Sequence, residues 1–295
     1  MYACVVHSRR RFTVPLPAGR SLMLGERTLV MGVLNVTPDS FSDGGALTDA
    51  KAAIAAGEQM VAEGADLLDV GGESTRPGAD SIGAAEERAR VLPVIEGLAA
   101  RVRVPICIDT YKASVADAAL EAGVTIVNDI SGLRYDPDLA KVVARRDAAL
   151  ILMHTRGRSK DMYSQATYVD VVDEVLDELR ESVAFATGAG VPRERVLIDP
   201  GLGFAKEPAH SFEVLGRLHE FGDLNRPVVV GPSRKGFLAR PLLRDVPAPE
   251  RDWLTAGSVA ATVLAGAHIV RVHAVREMVH VVRVADEIRK YHREA

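Results

Sequence analysis

The amino-acid sequence predicts an α/β protein built as a (β/α)8 barrel, the TIM-barrel class, with a short β-hairpin-like extension at its N-terminus. Short β-branched stretches alternate with longer amphipathic ones, eight times along a chain of 295 residues, and about 250 residues is the usual size of such a barrel. No linker rich in Pro, Gly or Ser interrupts the alternation, whereas a doubly wound sheet usually has fewer strands or a second domain. We therefore expect one domain over residues 1–295, with residues 1–26 as the extension.

The predicted elements follow in chain order. The extension is β-like between residues 5 and 24. Apolar, β-branched runs predict barrel strands at residues 29–34, 66–70, 104–109, 125–128, 149–153, 196–199, 227–230 and 267–272. Ala-rich stretches between them predict helices, for example at 49–63 and 84–101. A last helix, at 273–291, carries an apolar stripe whose spacing favours the outer layer of the barrel, although the stripe could also serve a dimer.

Composition narrows the classes of function. The chain has 36 Lys and Arg residues against 40 Asp and Glu, a net charge of -4, which argues against broad binding to nucleic acid or to a membrane surface. Only two cysteines are present, Cys4 and Cys107, so a disulfide framework is not expected. Three arginines follow a short apolar N-terminal stretch, the reverse of a secretory signal, and no run is long enough to span a bilayer. These features predict a cytoplasmic protein.

Barrels of this class carry their chemistry on the loops that follow the strands. The first such loop, residues 35–45, consists of turn formers around Phe41, and the second, residues 69–78, has paired glycines with Thr75 and Arg76 as possible donors to an anion. Taken alone, each loop is compatible with ordinary turn chemistry.

Three later strands end on acidic or amide side chains, at Asp109, at Asn128 with Asp129, and at Asp199. One such carboxylate is usually a helix N-cap. Three in one barrel mouth would raise one another's pKa and cost stability unless a ligand supplies hydrogen-bond donors. This pattern predicts a ligand rich in N–H groups.

Positive charge follows the last two strands. Ser233 is a candidate N-cap for the next helix, and Lys235 lies in its expected first turn, where a cation opposes the helix dipole. Alternation along the last strand sends Arg271 and His273 to one face. An inward arginine with no carboxylate beside it would imply a bound anion, because a buried unpaired charge is costly.

No metal cluster is evident, because the eight histidines are scattered and the two cysteines are far apart. If a metal is used, we expect Mg2+ held mainly by substrate phosphates.

The chain resembles the dihydropteroate synthase family through seven strings in the family's order. They are MGVLNVTPDSFSDGG at 31–45, DVGGESTRPGA at 69–79, IDT at 108–110, VNDI at 127–130, DPGLGF at 199–204, SRK at 233–235 and RVH at 271–273. The first two are long and unusual, and together the strings cover nearly the whole chain.

The resemblance implies a site for each substrate. Residues expected to hold the pterin are Asp109, Asn128, Asp199 and Lys235, with Met153 against the ring. Residues expected at the diphosphate are Asn35 with Mg2+, Arg76, Arg271 and His273. Residues expected around p-aminobenzoate are Phe41, Thr75, Pro77, Phe204 and the helix start at Ser233. A pterin presents an edge of donors that carboxylates accept well, and a carboxylate suits a helix N-terminus.

The same resemblance implies a mechanism in which the C–O bond to pyrophosphate breaks first and the aromatic amine captures the resulting pterin cation. Mg2+, Arg271 and His273 would stabilise charge on the leaving group, while Asp109 and its neighbours would favour the cationic pterin. Lys235 is the fourth residue expected to take part in catalysis. The loops after the first two strands, residues 35–45 and 69–78, would order over the site and exclude water that could trap the cation. A homodimer is also implied by the family.

Three positions depart from the family pattern: Ala205 replaces a glycine, Ala274 replaces an aspartate after His273, and Gly236 stands where larger side chains are common. Ala205 would be strained if its φ were positive. Two other functions stay open from the residues, a pterin-dependent methyltransferase and a pterin-binding paralogue without turnover. The cationic residues count against the first, and Ala205 and Ala274 would be early signs of the second.

Overall fold

The computed structural model describes residues 6–37, 46–76 and 78–291. Its N-terminal part forms an antiparallel hairpin of β1 (Phe12–Pro15) and β2 (Ser21–Leu24), with Phe12 opposite Leu24. The inward side chains of the hairpin are buried against residues that fill the barrel interior, such as Met31 and Cys107. The predicted extension is therefore confirmed as a hairpin, and it closes one end of the barrel.

Eight parallel strands form the barrel. They are β3 (Leu29–Asn35), β4 (Leu67–Gly71), β5 (Ile106–Asp109), β6 (Ile126–Asp129), β7 (Ala149–Met153), β8 (Val196–Asp199), β9 (Val229–Val230) and β10 (Ile269–Val272). Hydrogen bonds join them in the order β8-β7-β6-β5-β4-β3-β10-β9, and a parallel bridge between Ile198 and Val228 connects the two ends. The predicted TIM-barrel fold is confirmed, with the strands within three residues of their expected bounds.

Strand β9 is shorter than expected for a specific reason. The backbone N–H of Val228 donates to Nδ1 of His268 over 3.0 Å instead of to a neighbouring strand, so regular pairing starts only at Val229. The imidazole of His268 thus accepts the hydrogen bond that a backbone carbonyl of a neighbouring strand would otherwise accept.

Helices cover the outside of the barrel. They are α1 (Ala46–Ala62), α2 (Ala84–Ala99), α3 (Ala113–Glu121), α4 (Asp138–Arg145), α5 (Val171–Gly188), α6 (Pro208–Gly216), α7 (Asp252–Leu264) and α8 (Val275–Lys290). Their apolar faces join the outward side chains of the strands in a large buried cluster, as expected for a parallel sheet covered on its outer face. None of the helices in the described ranges is long and apolar enough to cross a membrane.

Alternation along each strand determines which side chains reach the barrel mouth. Leu67, Cys107 and Ile269 belong to the interior cluster, so the residues two positions further along point the same way. Those residues are Asp69, Asp109 and Arg271, at the carboxyl ends of β4, β5 and β10. The fold thus gathers ionisable groups at one end of an otherwise apolar interior.

Candidate active site

A cavity opens at the carboxyl ends of the strands. Its lining residues are Thr75, Asp109, Asn128, Ile130, Met153, Asp199, Gly201, Leu202, Phe204, Gly231, Lys235 and Arg271. Eight of these are residues that the sequence singled out, drawn from seven different strand ends and loops. The structure therefore brings these eight together, although they are spread over about 200 positions of the chain; Asn35, Arg76, Ser233 and His273 are not among the lining residues.

The guanidinium of Arg271, which lines this cavity, bridges two carboxylates. Its Nε donates to Asp69 Oδ2 over 2.5 Å and one terminal nitrogen donates to Asp109 Oδ2 over 2.7 Å. Asn128 donates to the same oxygen of Asp69 over 3.1 Å. The expectation that Arg271 has no carboxylate beside it is wrong, because residues from three strands converge inside the barrel.

Sequence reasoning quoted Asp69 but gave it no role. The signal was available, since an acidic residue two positions after an inward leucine must itself point inward, and a charge there needs a partner. Asp69 is fully buried. Its partner Arg271 lies 202 residues away in the sequence, which explains why the pair was missed.

Two carboxylate oxygens in this group of residues, of which only that of Asp109 belongs to a cavity-lining residue, remain without a hydrogen bond. Oδ1 of Asp69 and Oδ1 of Asp109 are buried and have no partner within the described chain. Burial raises the pKa of Asp109 to about 7, although Arg271 acts in the opposite direction. Buried acceptors of this kind are costly unless a ligand completes them, and hydrogen-bond donors are the groups that would do so.

Asp199 contributes a second carboxylate to the cavity lining. One of its oxygens accepts the backbone N–H of Gly201 over 2.7 Å, and the side chain is 5% exposed. Burial raises the pKa of Asp199 to about 6. Within the described residues the second oxygen has no hydrogen bond, and Met153 is a neighbouring apolar residue of the cavity lining.

Lys235 extends across the same cavity. Its ammonium lies 3.8 Å from the centre of the Phe204 ring, a cation–π distance. Burial, and after it the proximity of Arg271, lowers the pKa of Lys235 to about 7. Arg234, by contrast, is held by a bidentate ion pair with Asp252, 2.8 Å at each contact, so these two neighbouring cations have different roles.

His273 stands at the rim, held by a serine. Oγ of Ser233 lies 2.9 Å from Nδ1 of His273 and also accepts the backbone N–H of His273 over 3.2 Å. Burial lowers the pKa of His273 to about 3, and nearby cations, Arg76 included, act in the same direction. The imidazole is therefore neutral and is surrounded by positive charge.

The expected helix start at Ser233 is wrong. The segment after β9 is a 3-10 helix, Gly236–Leu242, with Lys235 at its N-cap position. Ser233 is instead buried against His273, because its hydroxyl finds a partner across the barrel mouth. No α-helix N-terminus faces the cavity from this segment.

The expected metal ligand, Asn35, ends strand β3. It lies two strand pairings from Asp109, through Gly71. No group of three or more His, Cys, Asp or Glu residues within the described ranges could hold a metal. An amide oxygen is a ligand that Mg2+ accepts when substrate phosphates supply the others, so the donor set fits a substrate-held Mg2+ ion.

Two expected site residues, Phe41 and Pro77, lie outside the described residues. Thr75 lines the cavity, and Arg76 is exposed beside it.

The three departures from the family pattern have different consequences. Ala205 is buried with φ at +47°, so the expected strain of about 1 kcal/mol is present. Ala274 leaves His273 without a following aspartate, but Ser233 already provides a partner for the ring. Gly236 is exposed, and a Cβ there would meet only one side-chain atom of Arg251, at 4.0 Å. None of the three closes the cavity.

Comparison with known proteins adds the following. A family model described as pterin binding enzyme matches residues 31–273. A dihydropteroate synthase of Synechocystis sp. is 43% identical over 279 residues, which cover 94% of this chain and 96% of that protein. The dihydropteroate synthase of Yersinia pestis, solved with a sulfonamide drug, has a TM-score of 0.87 at 35% identity, covering 95% of this chain and 100% of that one. The Xanthomonas albilineans enzyme, solved with 4-aminobenzoic acid, has a TM-score of 0.83 at 43% identity, covering 94% and 98%.

Proposed function

The chain belongs to the dihydropteroate synthases of the pterin-binding enzyme family, and we propose that its barrel mouth carries out their reaction with the residues described above. The enzyme joins (7,8-dihydropterin-6-yl)methyl diphosphate to p-aminobenzoate and forms 7,8-dihydropteroate and pyrophosphate. One observation carries our residue assignment. Buried carboxylate oxygens that lack a hydrogen-bond donor lie near several cationic side chains, which surround His273.

The carboxylate wall of the cavity is the proposed pterin site. Asp109 and Asp199 would accept hydrogen bonds from the amino and ring N–H groups, and Asn128 and Lys235 would bind the remaining edge. Met153 would pack on the ring face. The free oxygen of each carboxylate supports this assignment, since a ligand with several N–H donors is what such a pocket lacks.

The proposed diphosphate site is formed by His273 and the arginines near it. As the C–O bond breaks, its electron pair stays on the diphosphate oxygen, and Arg271, His273 and Arg76 would stabilise that charge. A neutral His273 whose Nδ1 accepts from Ser233 would carry its proton on Nε2 and donate it as a hydrogen bond. Asp109 and Asp199 would favour the positive charge that develops on the pterin.

Mg2+ is the proposed cofactor. When bound, it would neutralise part of the charge on the diphosphate, with Asn35 as its protein ligand.

The second substrate would enter above the pterin. Thr75, Phe204 and Ser233, together with Phe41 and Pro77 of the first two loops, are the residues that we propose for p-aminobenzoate. Its neutral amine would attack the pterin methylene carbon, forming the C–N bond and releasing one proton, so no general base is required. Because the Yersinia pestis relative was solved with a sulfonamide drug, we propose that sulfonamides compete at the same position.

We also propose a homodimer that works in the cytoplasm. Trp253 on α7 is 88% exposed, and Val284 and Ile288 on α8, with Tyr291 directly after it, form an exposed apolar stripe. The buried stripe of α8 faces the barrel, so the exposed one is available to a second copy. Cys107 is free and buried in the barrel, which agrees with a reducing compartment.

An omission assay tests the reaction. Pyrophosphate should be released when the enzyme is mixed with both substrates and Mg2+, and release should fall to background when p-aminobenzoate is left out. A pterin-dependent methyltransferase would release no pyrophosphate under either condition. A paralogue without turnover would bind the pterin, measured by calorimetry, and release none.

A further inference from the structure

We propose that Lys206 is a positioning residue of this active site. Its hydrogen bonds to the backbone of residues 201–204 would fix the positions of Asp199 and Phe204 in the cavity lining. His154 and Glu178 would fix the position of Lys206 itself. The proposal rests on the function proposed above, because it concerns the same cavity.

The ammonium of Lys206 makes its hydrogen bonds to the turn of residues 201–204 and to one imidazole. It donates to the carbonyl oxygens of Gly201 and Phe204, each over 3.2 Å, and to Nδ1 of His154 over 2.8 Å. The residue is 1% exposed. A buried ammonium is costly. This one does not line the cavity itself and hydrogen-bonds no carboxylate, so its contribution passes through the backbone of the turn that it holds.

His154 and Glu178 fix the direction of this chain of hydrogen bonds. Because Nδ1 of His154 accepts from the ammonium, Nε2 carries the ring proton and donates to Glu178 over 3.1 Å. Glu178 is held in turn by Arg134 at 2.6 Å and Arg156 at 2.7 Å. The ammonium is therefore connected to a carboxylate through a neutral imidazole, outside the cavity.

The turn itself needs such an anchor. Gly201, Gly203 and Ala205 all have positive φ values, +69°, +74° and +47°. Only the two glycines adopt that conformation freely, and backbone held in such a region persists when surrounding contacts determine it. Lys206 provides two of those contacts, and Tyr168 provides a third by donating to the carbonyl of Ala205 over 2.8 Å.

Both sides of the turn reach the substrates. Gly201 donates its N–H to Asp199 over 2.7 Å, and the Phe204 ring lies 3.8 Å from the ammonium of Lys235. His154 follows Met153 directly, and its backbone N–H donates to the carbonyl of Asp199 over 2.9 Å. The Lys206 network thus connects two neighbouring strand ends whose side chains line the cavity.

The test compares Lys206→Met with Asp286→Asn. Asp286 is buried where it bonds Thr28 and Arg9, away from the cavity lining, so its variant controls for a general loss of stability. We expect Lys206→Met to bind a pterin at least about tenfold more weakly by calorimetry, with KM for the pterin substrate raised. Asp286→Asn should melt at a lower temperature with both values unchanged.

A double-mutant cycle with His154→Asn separates positioning from packing. If the two residues act as one unit, the double variant should lose no more affinity than Lys206→Met alone, whereas independent effects would add. Additive losses would overturn the proposal, and so would wild-type affinity in Lys206→Met. If Lys206→Met does not fold, His154→Asn alone, which removes the acceptor of the third hydrogen bond of the ammonium, takes its place: we expect weaker pterin binding, and wild-type affinity would overturn the proposal.

The proposed function fails separately. If the wild type binds a pterin but releases no pyrophosphate, the reaction assignment is wrong while the binding comparison still decides the role of Lys206. If the wild type binds no pterin, both are wrong.

Discussion

At the scale of single residues, the site depends on carboxyls whose proton affinity is changed by burial. Asp109 and Asp199 have pKa values raised to about 7 and about 6. In the free protein, each carboxyl therefore stabilises the fold fully below its unfolded pKa of about 4, and this contribution is lost as pH rises through about 6 to 7. The proposed substrate site needs the opposite state, because both oxygens of a carboxylate accept from pterin N–H groups, whereas protonation turns one of them into a donor.

We therefore predict that affinity for a pterin is strongest near neutral pH. It should weaken on the acid side, by up to about tenfold per pH unit for each carboxyl that takes up a proton. It should weaken on the alkaline side as Lys235, with a pKa lowered to about 7, loses its proton. Calorimetry across this range in two buffers of different ionisation enthalpy measures both effects, and an affinity that does not change with pH would contradict the assignment.

Arg271 has a structural contact with two carboxylates and a proposed role in catalysis, and substitution can separate the two. Arg271→Ala should lower the melting temperature, because it leaves Asp69 and Asp109 buried without a cation, a loss of about 3 to 5 kcal/mol. It should also reduce turnover by at least about 10²-fold. Arg271→Lys keeps the charge but not the two-pronged geometry, so we expect it to recover most of the stability and little of the turnover. Full activity in Arg271→Lys would show that charge alone suffices.

At the scale of elements, the turn after β8 is the part of the site most sensitive to backbone change. A Cβ at Gly201 would lie 2.0 Å from the carbonyl oxygen of His154, whereas one at Gly203 would lie 3.4 Å from the nearest atom of Lys235. Both glycines have positive φ. The two positions therefore share backbone strain and differ in space.

We predict that Gly201→Ala abolishes pterin binding, since the turn must move away from His154 and carry Asp199 with it. Gly203→Ala, the matched control, should cost about 1 kcal/mol of stability and keep binding. Thermal unfolding and calorimetry on both variants give the comparison. Equal affinity in the two variants would mean that the turn adapts without disturbing the cavity.

The elements themselves were predictable because hydrophobic periodicity is a local property. All eight barrel strands and the hairpin were expected from it, and the strand ends pointed to Asp109, Asn128 and Asp199. Contacts that join distant strands were not predictable in the same way. The pairing of Arg271 with Asp69 and the Ser233 contact to His273 depend on which side chains meet across the barrel, and the sequence alone does not specify that.

At the scale of the whole molecule, the two ends of the barrel interior differ in the side chains that they hold. The hairpin closes one end of the interior with apolar side chains, while the carboxyl ends of the strands hold the ionisable groups. Helix α8 has buried residues on the face that packs on the barrel and exposed apolar residues elsewhere, and these exposed residues are the proposed dimer surface.

We predict that the protein is a dimer and that Val284→Asp with Ile288→Asp makes it a folded monomer. Two charges in an apolar contact would prevent association, while exposed substitutions cost the fold little. Light scattering after gel filtration measures the mass. Phe185→Asp, at a half-exposed position on α5, is the control that should stay dimeric. A monomeric wild type would rule out this surface as the interface.

Formation of 7,8-dihydropteroate by two variants, compared with the wild type, tests the central claim most directly. Asp199 and Asp129 are both buried with pKa values raised to about 6, but Asp129 bonds only its own turn through Ser131 and Leu133. With both substrates and Mg2+, we expect the wild type and Asp129→Asn to form the product and Asp199→Asn to lose it, because its amide leaves a buried mismatch of about 2 to 4 kcal/mol. Product formation by Asp199→Asn at the wild-type rate would contradict the proposed pterin site, and no product from the wild type would contradict the reaction itself.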